Sequence, residues 1–191
     1  MTRAAFPRHL RVAALALLAT TGCGGPGPQL AAADGRTLDP LFDAAERPIV
    51  LVFLSHECPI ANAVAPTLAE AAAAWGERVA VRMVHVDPDL DAAAAMQHAT
   101  DYALPGEVLL DPRHALATRL AVRRTPEAVV WHRGAVRYRG AIDDQWTAIG
   151  SRAQAPSRHY LRDAVAAVLA DEPVTVASTD PVGCLLPEPA K

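Results

Sequence analysis

The chain has 191 residues, 51% of them hydrophobic and 20% charged, a balance that suits one packed domain and not a disordered chain. Its formal charge is −3, its arginines are scattered among acids, and lysine occurs only as Lys191. Nucleic acid is therefore not an expected partner, since a phosphate-binding face needs clustered cations.

Arg3, Arg8 and Arg11 precede an apolar stretch over 12–19, and small residues then lead to Cys23. This order reads as a secretory signal over residues 1–22, with an apolar run too short to cross a bilayer as a helix. The junction Leu18-Ala19-Thr20-Thr21-Gly22-Cys23-Gly24-Gly25 resembles a bacterial lipoprotein cleavage site, with Thr20 where leucine is usual. That resemblance implies a lipid on Cys23 that anchors the chain to a membrane facing the periplasm. Ordinary cleavage, leaving a periplasmic or secreted chain with Cys23 as a bystander, is the alternative. Once Cys23 is lipidated, Cys58 and Cys184 are the remaining thiols. In an oxidising compartment two cysteines pair, act catalytically or bind metal.

Residues 23–47 read as a tether and lead-in, with the Gly/Pro/Ala-rich stretch 24–33 expected to stay unfolded. A domain over 48–172 follows. The continuous apolar run 49–54 predicts a strand covered on both faces. A helix is predicted over 61–75, closed by Gly76, then a strand over 79–86 and a helix over 90–102. A short strand at 107–110 and a helix at 114–120 come next. Strands at 128–131 and 136–139 flank a turn at Arg133-Gly134 and read as a hairpin. A last helix covers 157–170. The Pro-rich tail 173–191 is expected along the surface, except where Cys184, Leu185 and Leu186 pack. This order predicts an α/β domain with a central mixed sheet flanked by helices.

Cys58 directly follows the first buried strand and opens a helix with Pro66 eight residues later, while Thr125-Pro126 enters a later strand. Both features resemble the thioredoxin-like fold, in which they imply an attacking cysteine and an opposing cis-proline, Pro126. The stretch from Val86-Asp87-Pro88 through Leu109-Leu110-Asp111-Pro112 to Thr125-Pro126 resembles the TlpA-like thiol-disulfide oxidoreductases and the peroxiredoxin-like branch, which carry an extra helix and strand there. Glu57-Cys58-Pro59-Ile60-Ala61-Asn62, Tyr138-Arg139-Gly140-Ala141-Ile142-Asp143-Asp144 and Thr179-Asp180-Pro181-Val182-Gly183-Cys184 are similar to redoxin-domain, AhpC/TSA-type proteins that keep only the first thioredoxin cysteine.

A helix N-terminus stabilises a thiolate through unpaired N–H groups and the helix dipole. A protonated His56 would add to this, and Glu57 would oppose it. Thioredoxin-type exchange needs a second thiol three residues on, and that position is Ala61. A lone cysteine stalls as a mixed disulfide unless another thiol resolves it, which makes Cys184 the candidate resolving thiol. A permanent structural disulfide is the bland alternative. Peroxide reduction is the second route. Ser55 takes the hydroxyl position three before Cys58 and Arg124 offers a guanidinium, but the proline of the peroxidatic loop is replaced by Leu51. The expected partners are thus a thiol or disulfide protein, or a peroxide.

A third and weaker reading has His56 and Cys58, joined by Cys184, His85 or His98, handling copper or zinc. The fourth is a binding module that kept the fold and lost the redox cycle. No cofactor or resident metal is expected. Asp143-Asp144 reads as a solvated turn, with a hydrogen bond to a loop or a bound cation as the alternatives, and His159 as exposed.

Overall fold

The computed structural model of the chain describes Met1, residues 27–43 and residues 45–191. The expected signal and Cys23 lie outside the described residues. Two short strands come first, β1 (Leu30–Ala32) and β2 (Thr37–Leu38). Then follow β3 (Ile49–Leu54), α1 (Pro59–Trp75), β4 (Ala80–His85), α2 (Ala92–Asp101), β5 (Glu107–Leu110) and α3 (Ala115–Arg119). The second half holds β6 (Arg124–Thr125), β7 (Glu127–His132), β8 (Ala135–Gly140), β9 (Trp146–Ala148), β10 (Ser151–Arg152), α4 (Tyr160–Leu169) and β11 (Cys184–Leu185).

Seven strands form one sheet in the order β2-β1-β5-β4-β3-β7-β8. β3, β4 and β5 are parallel neighbours, whereas β7 runs antiparallel to β3 and forms a hairpin with β8. β3 lies between β4 and β7, and all six of its residues are buried. Alternation along the strand sends Val50, Val52 and Leu54 to one face and Ile49, Leu51 and Phe53 to the other. The first set packs with α1 and α4 through Val64, Leu68, Leu161 and Val165. The second packs with Leu109, Leu116 and Leu120 around α3. The continuous apolar run in the sequence is the signature of this two-sided burial.

The stretch expected to be unfolded is partly structured. Leu30 and Ala32 are buried, and β1 pairs antiparallel with β5 at the sheet's far side. An inward-outward-inward pattern made of one leucine and two alanines is too faint to separate from an Ala-rich tether. The hairpin β9–β10 and the pairing of β11 with β6 were also not expected. Asp143-Asp144 is not a solvated turn. Asp143 is buried and accepts from the Gln145 N–H, while Asp144 accepts from the N–H groups of Ser157 and Arg158 and ties down the approach to α4. Among the described residues no helix is long and apolar enough to cross a membrane.

Candidate functional site

The site forms where β3 ends and α1 begins. Cys58 is the N-cap of α1, and Pro59 follows in the first turn, where its missing N–H costs nothing. The Cys58 N–H donates to the Ser55 carbonyl at 3.1 Å, and the Asn62 N–H donates to the Cys58 carbonyl at 3.1 Å. These bonds fix the turn that aims the sulfur at β6. Cys58 Sγ lies 3.1 Å from the Thr125 carbonyl oxygen, and the next peptide, Thr125–Pro126, is cis.

The tail completes the site. β11 pairs antiparallel with β6, with Cys184 opposite Thr125 and Leu185 opposite Arg124. This register carries Cys184 across 126 residues of chain to place its sulfur 2.6 Å from that of Cys58. Cys58 is only 2% exposed beneath this strand. Burial pushes the Cys58 thiol up, but hydrogen bonding from Cys184 and from the N–H of Ala61 outweighs it and holds the thiol below its ordinary range. Burial, the bond to Cys58 and the Cys58 charge push Cys184 up to about 11. The two thiols are thus shifted in opposite directions, so Cys58 loses its proton before Cys184 does.

Other predicted residues serve different partners. Ser55 Oγ donates to Asp87 Oδ1 at 2.5 Å. The guanidinium of Arg124 donates through Nη1 to the Gly183 carbonyl at 3.1 Å and so grips the tail. Pro126 lines a small cleft with Ile60, Val64, Ile142, Trp146 and Val182. Thr125, Gly183, Asp87 and Asn62 are structural members of the site that sequence reasoning did not single out. Their signal in the sequence was membership of the motifs at 86–88, 57–62, 125–126 and 179–184, which gave them no role of their own.

Behind this turn lies a buried polar cluster. Asp87 accepts from the His56 N–H at 3.1 Å, with His56 Nδ1 3.2 Å and His85 Nδ1 3.6 Å from its carboxylate. Burial raises the Asp87 carboxyl, but these donors and Ser55 bring it down to about 2. His98 Nε2 stands 2.9 Å from Asn62 Oδ1, and Asn62 Nδ2 donates to the His56 carbonyl. Among the described residues no three His, Cys, Asp or Glu side chains converge as a metal site. The imidazoles of His56, His85 and His98 gather near Asp87 and Asn62, while the Cys58 sulfur faces Cys184 and Thr125. The thiolate–imidazole set for copper or zinc is therefore not assembled.

This cluster sets an acid limit on stability. Burial, with the His85 and His56 charges, lowers His98 from 6.5 to about 4. The unfolded chain takes up a proton near the higher value and the folded chain only near the lower. Stability is therefore lost as pH falls from 6.5 to about 4, by about 3 kcal/mol in all. His98→Gln is expected to remove most of the difference between urea midpoints measured at the two ends of that window.

The chain resembles known proteins in both sequence and shape. The AhpC/TSA family profile matches residues 25–147. No curated protein matches the chain. An uncharacterised conserved protein from Geobacillus kaustophilus superposes with a TM-score of 0.70 at 22% identity, over 85% of this chain and 90% of that one. A hypothetical protein from Sinorhizobium meliloti 1021 gives a TM-score of 0.70 at 22% identity, over 85% and 92%. A thiol-disulfide oxidoreductase from Bacteroides fragilis gives 0.52 at 16% identity, over 60% and 89%. At these identities the structural likeness speaks for a shared thioredoxin-like fold, and the sequence match for descent. The chain, with its buried Cys58 facing Cys184, belongs to the AhpC/TSA family.

Proposed function

We propose that this chain is an exported thiol-disulfide redox protein in which Cys58 attacks and Cys184 resolves. The observation that carries this reading is the approach of the two sulfurs to 2.6 Å across the β6–β11 pairing. The Cys58 thiolate attacks one sulfur of a partner disulfide. That S–S bond breaks, and the departing thiolate leaves with the electron pair and takes a proton from water. Formation of the mixed disulfide removes the Cys58 charge and with it two of the three causes that raise Cys184. Cys184 then loses its proton to water and attacks Cys58 Sγ, releasing the second partner thiolate, which in turn takes a proton from water. The partner disulfide has gained two electrons and two protons, and the chain has become the Cys58–Cys184 disulfide. The reverse sequence oxidises a partner dithiol.

Disulfide exchange is favoured over peroxide reduction because Ser55 Oγ engages Asp87 and the Arg124 guanidinium engages Gly183, neither of them the Cys58 sulfur. A redox-inactive binding module would keep these sulfurs as a permanent structural disulfide that a partner dithiol does not reduce. Incubation with glutathione disulfide is expected to remove two hydrogens from the mass and to give a Cys58–Cys184 linked peptide on non-reducing mapping. Two free thiols after that treatment would refute the reading. Hydrogen peroxide consumption is expected not to exceed that of Cys58→Ser.

Export rests on the leader, and anchoring on Cys23. Metabolic labelling with a radioactive fatty acid is expected to mark the wild-type chain and not Cys23→Ala. Equal labelling of both would remove the anchor.

A further inference from the structure

The strand that covers Cys58 is itself a record of what the site accepts. After a bend at Gly183, Cys184 and Leu185 pair with Thr125 and Arg124 and put a cysteine sulfur against Cys58. Three features of this seat select chemistry. First, a Cβ on Gly183 would lie 2.2 Å from the Thr125 carbonyl oxygen, 2.8 Å from its carbon and 3.2 Å from Pro126 N. All three atoms are backbone, and Thr125 is fully buried, so the obstacle cannot swing aside as a side chain would. Gly183 does not have a positive φ, so it is room and not backbone freedom that demands glycine here. Second, Arg124 Nη1 donates to the Gly183 carbonyl, a contact available to any peptide that lies the same way. Third, Val182 packs against the core beside Pro126, Ile60 and Trp146, whereas the side chain after the cysteine, Leu185, is 71% exposed.

The strap is held on both sides of this seat. Upstream, the Thr179 N–H donates to the Arg139 carbonyl at 3.1 Å, and Thr179 Oγ1 lies 2.8 Å from the Tyr138 hydroxyl. Downstream, the Ala190 N–H donates to the Pro112 carbonyl at 2.7 Å, one residue from the chain's end. With the strap seated, Cys58 is covered, so a partner has to replace it strand for strand.

We propose that residues 182–185 are a built-in occupant of this site, and that among peptide partners the site favours a cysteine from a segment reading apolar residue, glycine, cysteine. The residue after the cysteine is unrestricted. The proposal rests on Cys58 being the reactive thiol of the preceding subsection and adds the class of partner. A partner disulfide within such a segment is attacked by the Cys58 thiolate, its S–S bond breaks, and its other sulfur leaves as thiolate.

Three hexapeptides test the rule, each with its cysteine capped as the disulfide of thionitrobenzoate: Pro-Val-Gly-Cys-Leu-Leu, Pro-Val-Ala-Cys-Leu-Leu and Pro-Val-Gly-Cys-Ser-Leu. They are mixed with the full chain carrying Cys184→Ser, which holds the mixed disulfide once formed. Release of thionitrobenzoate and the intact mass report the reaction. The first and third peptides are expected to react at similar rates and the second about tenfold more slowly, because the extra methyl meets rigid backbone. Equal rates for glycine and alanine would overturn the proposal. In the chain itself, Gly183→Ala is expected to loosen the strap and speed iodoacetamide alkylation of reduced Cys58 about tenfold. An unchanged alkylation rate would overturn it as well. Symmetrical dithiobis(nitrobenzoate) separates the two levels. If Cys58 reacts with it but does not discriminate among the peptides, the glycine rule alone fails. If Cys58 reacts with none of the four, its reading as a redox thiol falls too.

Discussion

Cys184→Ser is expected to arrest turnover at the mixed disulfide. The first thiol equivalent should be released in a single burst, and steady-state reduction of a protein disulfide should fall by about a hundredfold or more, since resolution then needs an external thiol. Cys58→Ser is expected to abolish the burst as well, because the remaining thiol, Cys184, is still pushed up by burial and has no helix N-terminus to favour its thiolate. Rapid-mixing measurement of the burst, with intact mass under non-reducing conditions, distinguishes the two variants. A burst in Cys58→Ser equal to that of the wild type would reverse the assignment of attacker and resolver. The pH dependence follows from the same opposed shifts. The burst should reach its plateau at a lower pH than an ordinary cysteine would, because the Cys58 thiol lies below its ordinary range. The resolution step should accelerate with pH as Cys184 ionises.

Asp87→Ala carries the second large effect, on the fold and the site together. The carboxylate accepts from Ser55 Oγ and the His56 N–H, and it faces the rings of His56 and His85. Removing it leaves the Ser55 hydroxyl and the His56 N–H without their acceptor at the end of β3, at a cost of about 3 kcal/mol. Asp87→Asn, which keeps an acceptor but not the charge, should lose roughly half as much. The favourable contribution of the charged Asp87 is fully present above 3.8 and is lost as pH falls towards about 2. Acid unfolding of the wild type should therefore continue below the range set by His98, and that lower part of the curve should vanish in Asp87→Asn. Denaturant titrations at several pH values check both statements. Because the Asp87 bonds fix Ser55 and His56, and the Ser55 carbonyl receives the Cys58 N–H, the alanine variant should also show a slower Cys58 burst.

Much of the scaffold was legible in the chain. The apolar run Ile49–Leu54 announced a doubly covered strand because continuous hydrophobicity is the imprint of burial on both faces. Cys58 at a strand-to-helix junction, Pro66 in the helix and Thr125-Pro126 before a strand located the site within the fold. Its partners were less legible. Ser55 and Arg124 drew notice for their residue types and spacing, yet their side chains bond Asp87 and Gly183. Local sequence contains no term for a competing acceptor contributed from a distant strand or from the tail. β1 escaped notice because three small or apolar residues in an Ala-rich stretch carry almost no periodic signal.

The sequence by itself determined the fold class, the one cysteine placed at a helix N-terminus and the absence of its usual neighbour at Ala61. Those follow from local pattern, which a linear chain displays directly. Only the tertiary structure decided that Cys184 meets Cys58. That meeting depends on the antiparallel register of β11 with β6, on the Arg124 grip and on a glycine where no Cβ fits. A contact spanning 126 residues is set by packing against an already folded sheet, and nothing in the spacing of two cysteines encodes it.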